Sequence, residues 1–203
     1  MKYIMMLGAI LLTLVSVAAA EEETLLGGEI EHGGFGGPVV KFTEIDDEFA
    51  VLIGGRGGWI INHSFVIGGG GYGLVNQDID EREISPDTTI YMTMGYGGID
   101  LEYIASPNDL IHLTISTLIG AGGIDYMMKS RYNDWETGNY ANNDGDAFFV
   151  FEPGINAELN VMKFFRADLG ISYRYINGIE TSGLSDSDLN GIAANITLKF
   201  GKF

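Results

Sequence analysis

Phe165-Arg166-Ala167-Asp168-Leu169-Gly170-Ile171-Ser172-Tyr173-Arg174-Tyr175-Ile176 alternates with a period of two. Leu169, Ile171, Tyr173 and Tyr175 share one face; Asp168, Gly170, Ser172 and Arg174 share the other. An extended strand sorts its side chains in this way, because successive Cβ atoms leave opposite faces of the sheet. The neighbouring segments repeat the pattern. In residues 146–160, Phe149, Phe151, Ile155, Ala157 and Leu159 oppose Glu152, Gly154, Asn156, Glu158 and Asn160. In residues 189–203, Ile192, Ala194, Ile196, Leu198 and Phe200 oppose Gly191, Ala193, Asn195, Thr197 and Lys199.

Working outward from these three segments, five further runs precede them, at about residues 28–42, 49–61, 64–75, 88–104 and 110–128. Turn signals separate the runs, Ser106-Pro107-Asn108-Asp109 being the strongest. Connections after runs two, four and six are short. Those after three, five and seven are long, and only the first, 44–48, departs from the trend. Short turns at one end and long loops at the other are the mark of outer-membrane barrels, and an even strand number leaves both termini at the short-turn end. Glycine blurs the alternation in runs one, three and four, and an apparent change of phase near Gly97-Gly98 predicts a bulge there. The glycine clusters (33–37, 54–58 and 68–73 are the densest) lack the Gly-Lys-Ser/Thr of a phosphate loop. They read as places where the sheet bends and makes room for Arg56 and the tyrosines.

The first twenty residues are a separate object. Lys2 precedes an apolar stretch over residues 4–17, and Ala18-Ala19-Ala20 ends it before three glutamates. This predicts a cleaved secretory signal peptide at 1–20, with the barrel over 21–203. No later run approaches the roughly 18 apolar residues of a spanning helix. Cysteine is absent, so closed strand pairing or a core must hold the exported chain together. The net charge of −17 argues against nucleic acid. A soluble barrel would show the same alternation with its faces reversed. The export signal and the aromatic residues near strand ends favour the membrane version: Trp59, Phe65, Tyr103, Phe164 and Phe203 at the short-turn rim, and Phe42, Phe49, Tyr91, Tyr126, Phe149 and Tyr175 at the other.

With these strands and the final segment Ile196-Thr197-Leu198-Lys199-Phe200-Gly201-Lys202-Phe203, the chain resembles the small outer-membrane barrels of Gram-negative bacteria, of the OmpA-like transmembrane and OmpX-like type. The resemblance covers about residues 27–203. It implies an all-β, eight-stranded antiparallel up-and-down transmembrane β-barrel in the cell outer membrane, monomeric, surrounded by outer-membrane lipids and lipopolysaccharide. It also implies that the barrel assembly machinery reads a C-terminal aromatic, Phe200 or Phe203. Counting back from Phe203 by twos gives Gly201 and Lys199, whereas the apolar set ends at Phe200. No peptidoglycan-binding domain is read after the last run.

The candidate lumen charges are Arg56, Asp100, Glu102, Glu152, Glu158, Asp168, Arg174 and Lys199. Eight strands leave an interior just wide enough for side chains, so these predict a salt-bridge network filling the lumen. The alternative is a narrow, porin-like path, for which the acid excess of this set would favour cations. The loops are acidic (Glu44, Asp46, Asp47, Glu48; Asp78, Asp80, Glu81, Glu83, Asp87; Glu180, Asp186, Asp188) and could hold divalent cations that bridge to lipopolysaccharide. Residues 142–146 offer oxygen ligands but lack the spacing of a calcium loop. Tyr132, Trp135 and Tyr140 in the third long loop are recognition candidates. A lipid-modifying enzyme would need a histidine near the long loops; His32, His63 and His112 all fall near the other end. No enzyme activity and no cofactor are expected. The reading is a structural or surface-interaction barrel.

Overall fold

The computed structural model describes residues 30–76, 79, 82–85, 88–130, 145–180 and 183–203. Its elements are β1 (His32–Ile45), β2 (Glu48–Ile61), β3 (Phe65–Leu74), β4 (Arg82–Ser85), β5 (Thr88–Ile104), β6 (Ile111–Ser130), β7 (Asp146–Met162), β8 (Phe165–Asn177), the short helix α1 (Asp186–Leu189) and β9 (Gly191–Lys202). Neighbours along the chain pair antiparallel. Two further pairings, β1 with β9 and β3 with β5, close the sheet on itself. Eight strands therefore form the wall, and β4 pairs only with the outer extension of β5. The signal peptide lies outside the described residues.

The connection between β1 and β2 is the two-residue turn Asp46-Asp47, both with positive φ (51° and 60°). That is the hairpin geometry whose twist matches the strands it joins, and Asp tolerates it. This hairpin and the strand ends joined by the long connections 75–87, 131–145 and 178–190 lie at one end of the barrel, here called outer. The short connections 62–64, 105–110 and 163–164, with the C-terminal end of β9, lie at the other.

The faces of the three segments that opened the sequence reading are as expected, and their direction is now fixed. Ile192, Ile196 and Leu198 are 68%, 43% and 36% exposed; Lys199 and Arg174 are 1% and 0% exposed. The outer surface continues with Ile53, Ile99, Ile115, Leu169 and Ile171, all solvent-facing. Charges point in and hydrocarbon points out. In water such a belt would be a large apolar surface left unburied, with nothing gained from the hydrophobic effect over that area. In a bilayer it meets matching solvent, and closure of the sheet pairs most of the wall's peptide groups with a neighbouring strand.

Three sequence expectations need correction. The register of β5 runs unbroken past Gly97 and Gly98 against both β3 and β6, so there is no bulge. The apparent phase change came from Met92, Met94 and Tyr96, which are apolar yet face inward. The polar loop at 76–87 contains β4, and the loop at 177–188 contains α1. Two residues assigned to the aromatic girdles also lie elsewhere: Tyr126 packs against the inner cluster of the outer end, and Phe203 packs against the one at the opposite end. Trp59, Tyr103, Phe164, Phe42, Phe49, Phe149 and Tyr175 do project outward, as expected.

The glycine clusters have a steric cause. A Cβ on Gly68 would stand 2.1 Å from the Gly57 carbonyl oxygen, and one on Gly54 would stand 2.7 Å from the Tyr72 ring. A Cβ on Gly70 would stand 3.3 Å from the Arg56 Cβ. Inward-facing glycines thus let a tightly curved wall hold Arg56 and Tyr72 inside it.

Candidate functional site: the lumen and its two plugs

The lumen is layered. At the short-turn end, Phe35, Ile60, Val66 and Ile104 form a small apolar cluster with Phe203 against it. At the outer end a larger apolar cluster includes Ile45, Leu52, Met92, Phe148, Val150 and Ile176, joined by Ile79, Leu184 and Leu189 from the connections above. Between them lie the charges.

The lower charged layer is one connected set. Arg56 Nη2 lies 2.5 Å from Asp100 Oδ2 and 2.6 Å from Glu102 Oε2. Lys199 Nζ reaches Glu102 at 2.7 Å, Glu158 at 2.5 Å and Asp168 at 3.0 Å. Glu158 also takes Arg166 Nη1 at 2.7 Å and His112 Nε2 at 2.9 Å. Asp168 is bound by charge alone, since neither of its carboxylate oxygens accepts an aligned hydrogen bond.

A second set sits higher. Lys41 Nζ donates to Glu152 at 2.7 Å and lies 3.5 Å from the centre of the Tyr72 ring. Tyr96 and Ser172 hydroxyls complete the shell of Glu152 at 2.7 Å and 2.5 Å. Beside it is a polar cavity of about 30 Å³, bordered by Asn156, Asn195 and Ser172, with the Asn195 Oδ1 unpaired. That is room for about two waters.

Every lumen charge predicted from the sequence is buried. Arg174 is the exception in its partners. It donates from Nε to the Leu189 carbonyl at 2.7 Å and from Nη2 to the Glu44 carbonyl at 3.2 Å, and among the described residues no carboxylate pairs with it. It ties α1 and the first hairpin to the wall.

The sequence reading missed Lys41, Arg166, His112 and Tyr96 as lumen groups, and it placed Ser172 on the polar face without its Glu152 partner. Arg166 was one step along the Asp168–Arg174 face and could have been found by extending it. Lys41 sits on the glycine-blurred β1, where parity could not be read. Their inclusion changes the electrostatics. Lys41, Arg56, Arg166, Arg174 and Lys199 face Asp100, Glu102, Glu152, Glu158 and Asp168, all buried. The expected acid excess is absent from the described lumen, where five basic side chains face five carboxylates.

The remaining candidates divide. Tyr132, Trp135 and Tyr140 fall outside the described residues, as do Asp78, Asp80, Glu81 and Asp87. Glu44, Asp47 and Glu48 are exposed. Asp186 and Asp188 are structural: Asp186 accepts from the Gly178 and Ile179 amides at 3.0 and 2.8 Å, and Asp188 from the Ser185 amide at 2.8 Å. Asp146 accepts from the Glu180 and Ala147 amides. Among the described residues no three acidic or histidine side chains converge as a metal site. Phe200 faces outward and stacks on Phe165 at 4.8 Å, whereas Phe203 turns inward with Arg166 4.1 Å over its ring.

A closed antiparallel barrel with charges sealed inside and hydrocarbon outside belongs to the class of proteins that cross a bilayer with strands. Solved structures share the fold. The fold is similar to that of the N-terminal β-barrel domain of Pseudomonas aeruginosa OprF, with TM-score 0.51 and 10% identity over 85% of this chain and 99% of that one. It is likewise similar to Neisserial surface protein A, with TM-score 0.51 and 10% identity over 87% of this chain and 100% of that one. No family model matches the sequence, and no curated protein matches it.

Proposed function

We propose that this protein is a non-conducting outer-membrane barrel that acts as a structural or surface-interaction module. The observation that carries this reading is the sealed lumen. An ion or solute would have to displace Phe35, Ile60 and Phe203 below, break the Lys199 cluster, and then pass Leu52, Met92 and Val150 above. The charges between the plugs compensate one another, so no uncompensated field draws ions in. Among the described residues Glu44, Asp47 and Glu48 stand exposed at the hairpin turn, where they meet solvent, lipopolysaccharide or a partner. On this reading the signal peptide is removed, Phe200 is the residue presented to the assembly machinery, and the protein is a monomer.

A channel is the competing reading, and planar-bilayer recording of the refolded protein decides between them. The expected record has no discrete conductance steps; regular steps that scale with salt would overturn the proposal. Enzyme activity is not proposed. His112 is buried against Glu158, while His32 and His63 sit at the short-turn rim, where His32 stacks on Trp59 and His63 lies 2.5 Å from Glu31. Mass spectra of lipid A from cells with and without the protein are expected to be identical.

A further inference from the structure

The wall has a notch. The ladder between β1 and β9 ends, toward the outer rim, at the pair Phe42–Ala194. Beyond it the strands part, and the Thr43 hydroxyl, not a backbone amide, takes the Ile192 carbonyl at 2.9 Å. The opening is a cavity of about 520 Å³ on the outer surface, between the β1–β2 hairpin, α1 and the start of β9. Its lower wall is apolar: Phe42 and Phe49, their rings 6.3 Å apart and 17° from parallel, with Ile192 and Ala194. Its upper wall carries Glu44, Asp47 and Asp188, and among the described residues no basic side chain lines it. Arg174 lies behind the wall, its guanidinium held by the Glu44 and Leu189 carbonyls.

We propose that this notch binds an amphiphilic organic cation, an ammonium group carried on an alkyl tail. Three features select that chemistry. The carboxylates attract a positive charge but do not converge as a metal site, which suits a bulky, weakly hydrated cation over a chelated metal ion. The two exposed aromatic rings that line it, Phe42 and Phe49, add the attraction of ring quadrupoles for such a cation. Ile192 and Ala194 continue down the lipid-facing side of β9, so a tail runs from the notch into hydrocarbon. The site lies outside the lumen and stands whether or not the barrel conducts.

The test uses the full chain folded in phosphatidylcholine nanodiscs, with amide resonances of Glu44, Gly191 and Ile192 as reporters. Dodecyltrimethylammonium is expected to shift these resonances saturably, while dodecyl sulfate and dodecyl maltoside leave them unmoved. The double variant Glu44→Gln/Asp47→Asn is expected to weaken the effect at least fivefold, and Ala194→Phe, which fills the notch from the lipid side, to abolish it. Heat-modifiable gel mobility confirms that each variant is folded. Equal shifts with all three head groups, or unchanged affinity in the double variant, would overturn the site.

Discussion

At the scale of single residues, the structure turns on how buried charges are compensated. Lys199 is 1% exposed and faces three carboxylates. Removing one partner from such a cluster is costly because the others remain buried and uncompensated. Lys199→Met is therefore expected to lower stability by about 3–5 kcal/mol, read as a shift in the urea midpoint of the refolded barrel. Arg174 has a different part. Its bonds are to carbonyls of elements that cap the outer mouth, so Arg174→Met should leave the wall folded and loosen the cap. Hydrogen exchange is expected to quicken at the Asp46 and Asn190 amides, which bond to Asp188 and Asp186 carbonyls, with the mid-strand amides of β6 and β7 unchanged. Equal acceleration everywhere would place Arg174 in the wall's own stability.

At the scale of elements, glycine divides into two kinds. Gly68 faces inward, where a Cβ would strike the neighbouring backbone, whereas a Cβ on Gly36 would meet nothing within 4 Å. Gly68→Ala is expected to cost about 1–3 kcal/mol through forced displacement of the wall. Gly36→Ala should be neutral or stabilising by up to about 1 kcal/mol, since it removes only the excess freedom of glycine. Paired equilibrium unfolding curves check both, and equal costs would sink the distinction. The strands also differ in how firmly they are joined. β5 and β6 pair without interruption from Thr88–Ser130 to Ile104–Thr114, while the β1–β9 ladder is broken around Gly37 and Pro38 and again above Phe42. Pro38 offers no amide to a ladder. The β1–β9 seam is expected to show the fastest backbone exchange in the wall.

At the scale of the whole molecule, the decisive quantity is the direction of burial. Ile196 lies midway along β9 and faces outward at 43% exposure. Ile196→Arg is expected to destabilise the barrel in lipid by about 2–4 kcal/mol, the cost of a cation at the bilayer midplane. The same change on a water-facing strand would cost almost nothing, so refolding yield and urea midpoint in vesicles separate the two surroundings. The two plugs and the charge layer together fill the described lumen except for the small polar cavity beside Glu152, and the function proposed for the barrel follows from that filling and from the exposed carboxylates of the hairpin turn.

The number of wall strands, their order and the faces of β7, β8 and β9 were readable from the chain, because bulky apolar and polar residues alternate there and period two assigns each to a side. On β1, β3 and β5 glycine carries no side chain to mark a face, so Lys41 went unrecognised and Met92 and Met94 suggested a bulge that does not exist. Periodicity also could not say which side meets hydrocarbon, nor that apolar side chains plug the outer half of the lumen. Those are properties of closure. Lys199 meets Glu102 and Lys41 meets Glu152 only when the sheet curls round and joins β3 to β5 and β1 to β9. Distances across a ring are set by the curvature of the whole sheet, and no local stretch of sequence encodes them.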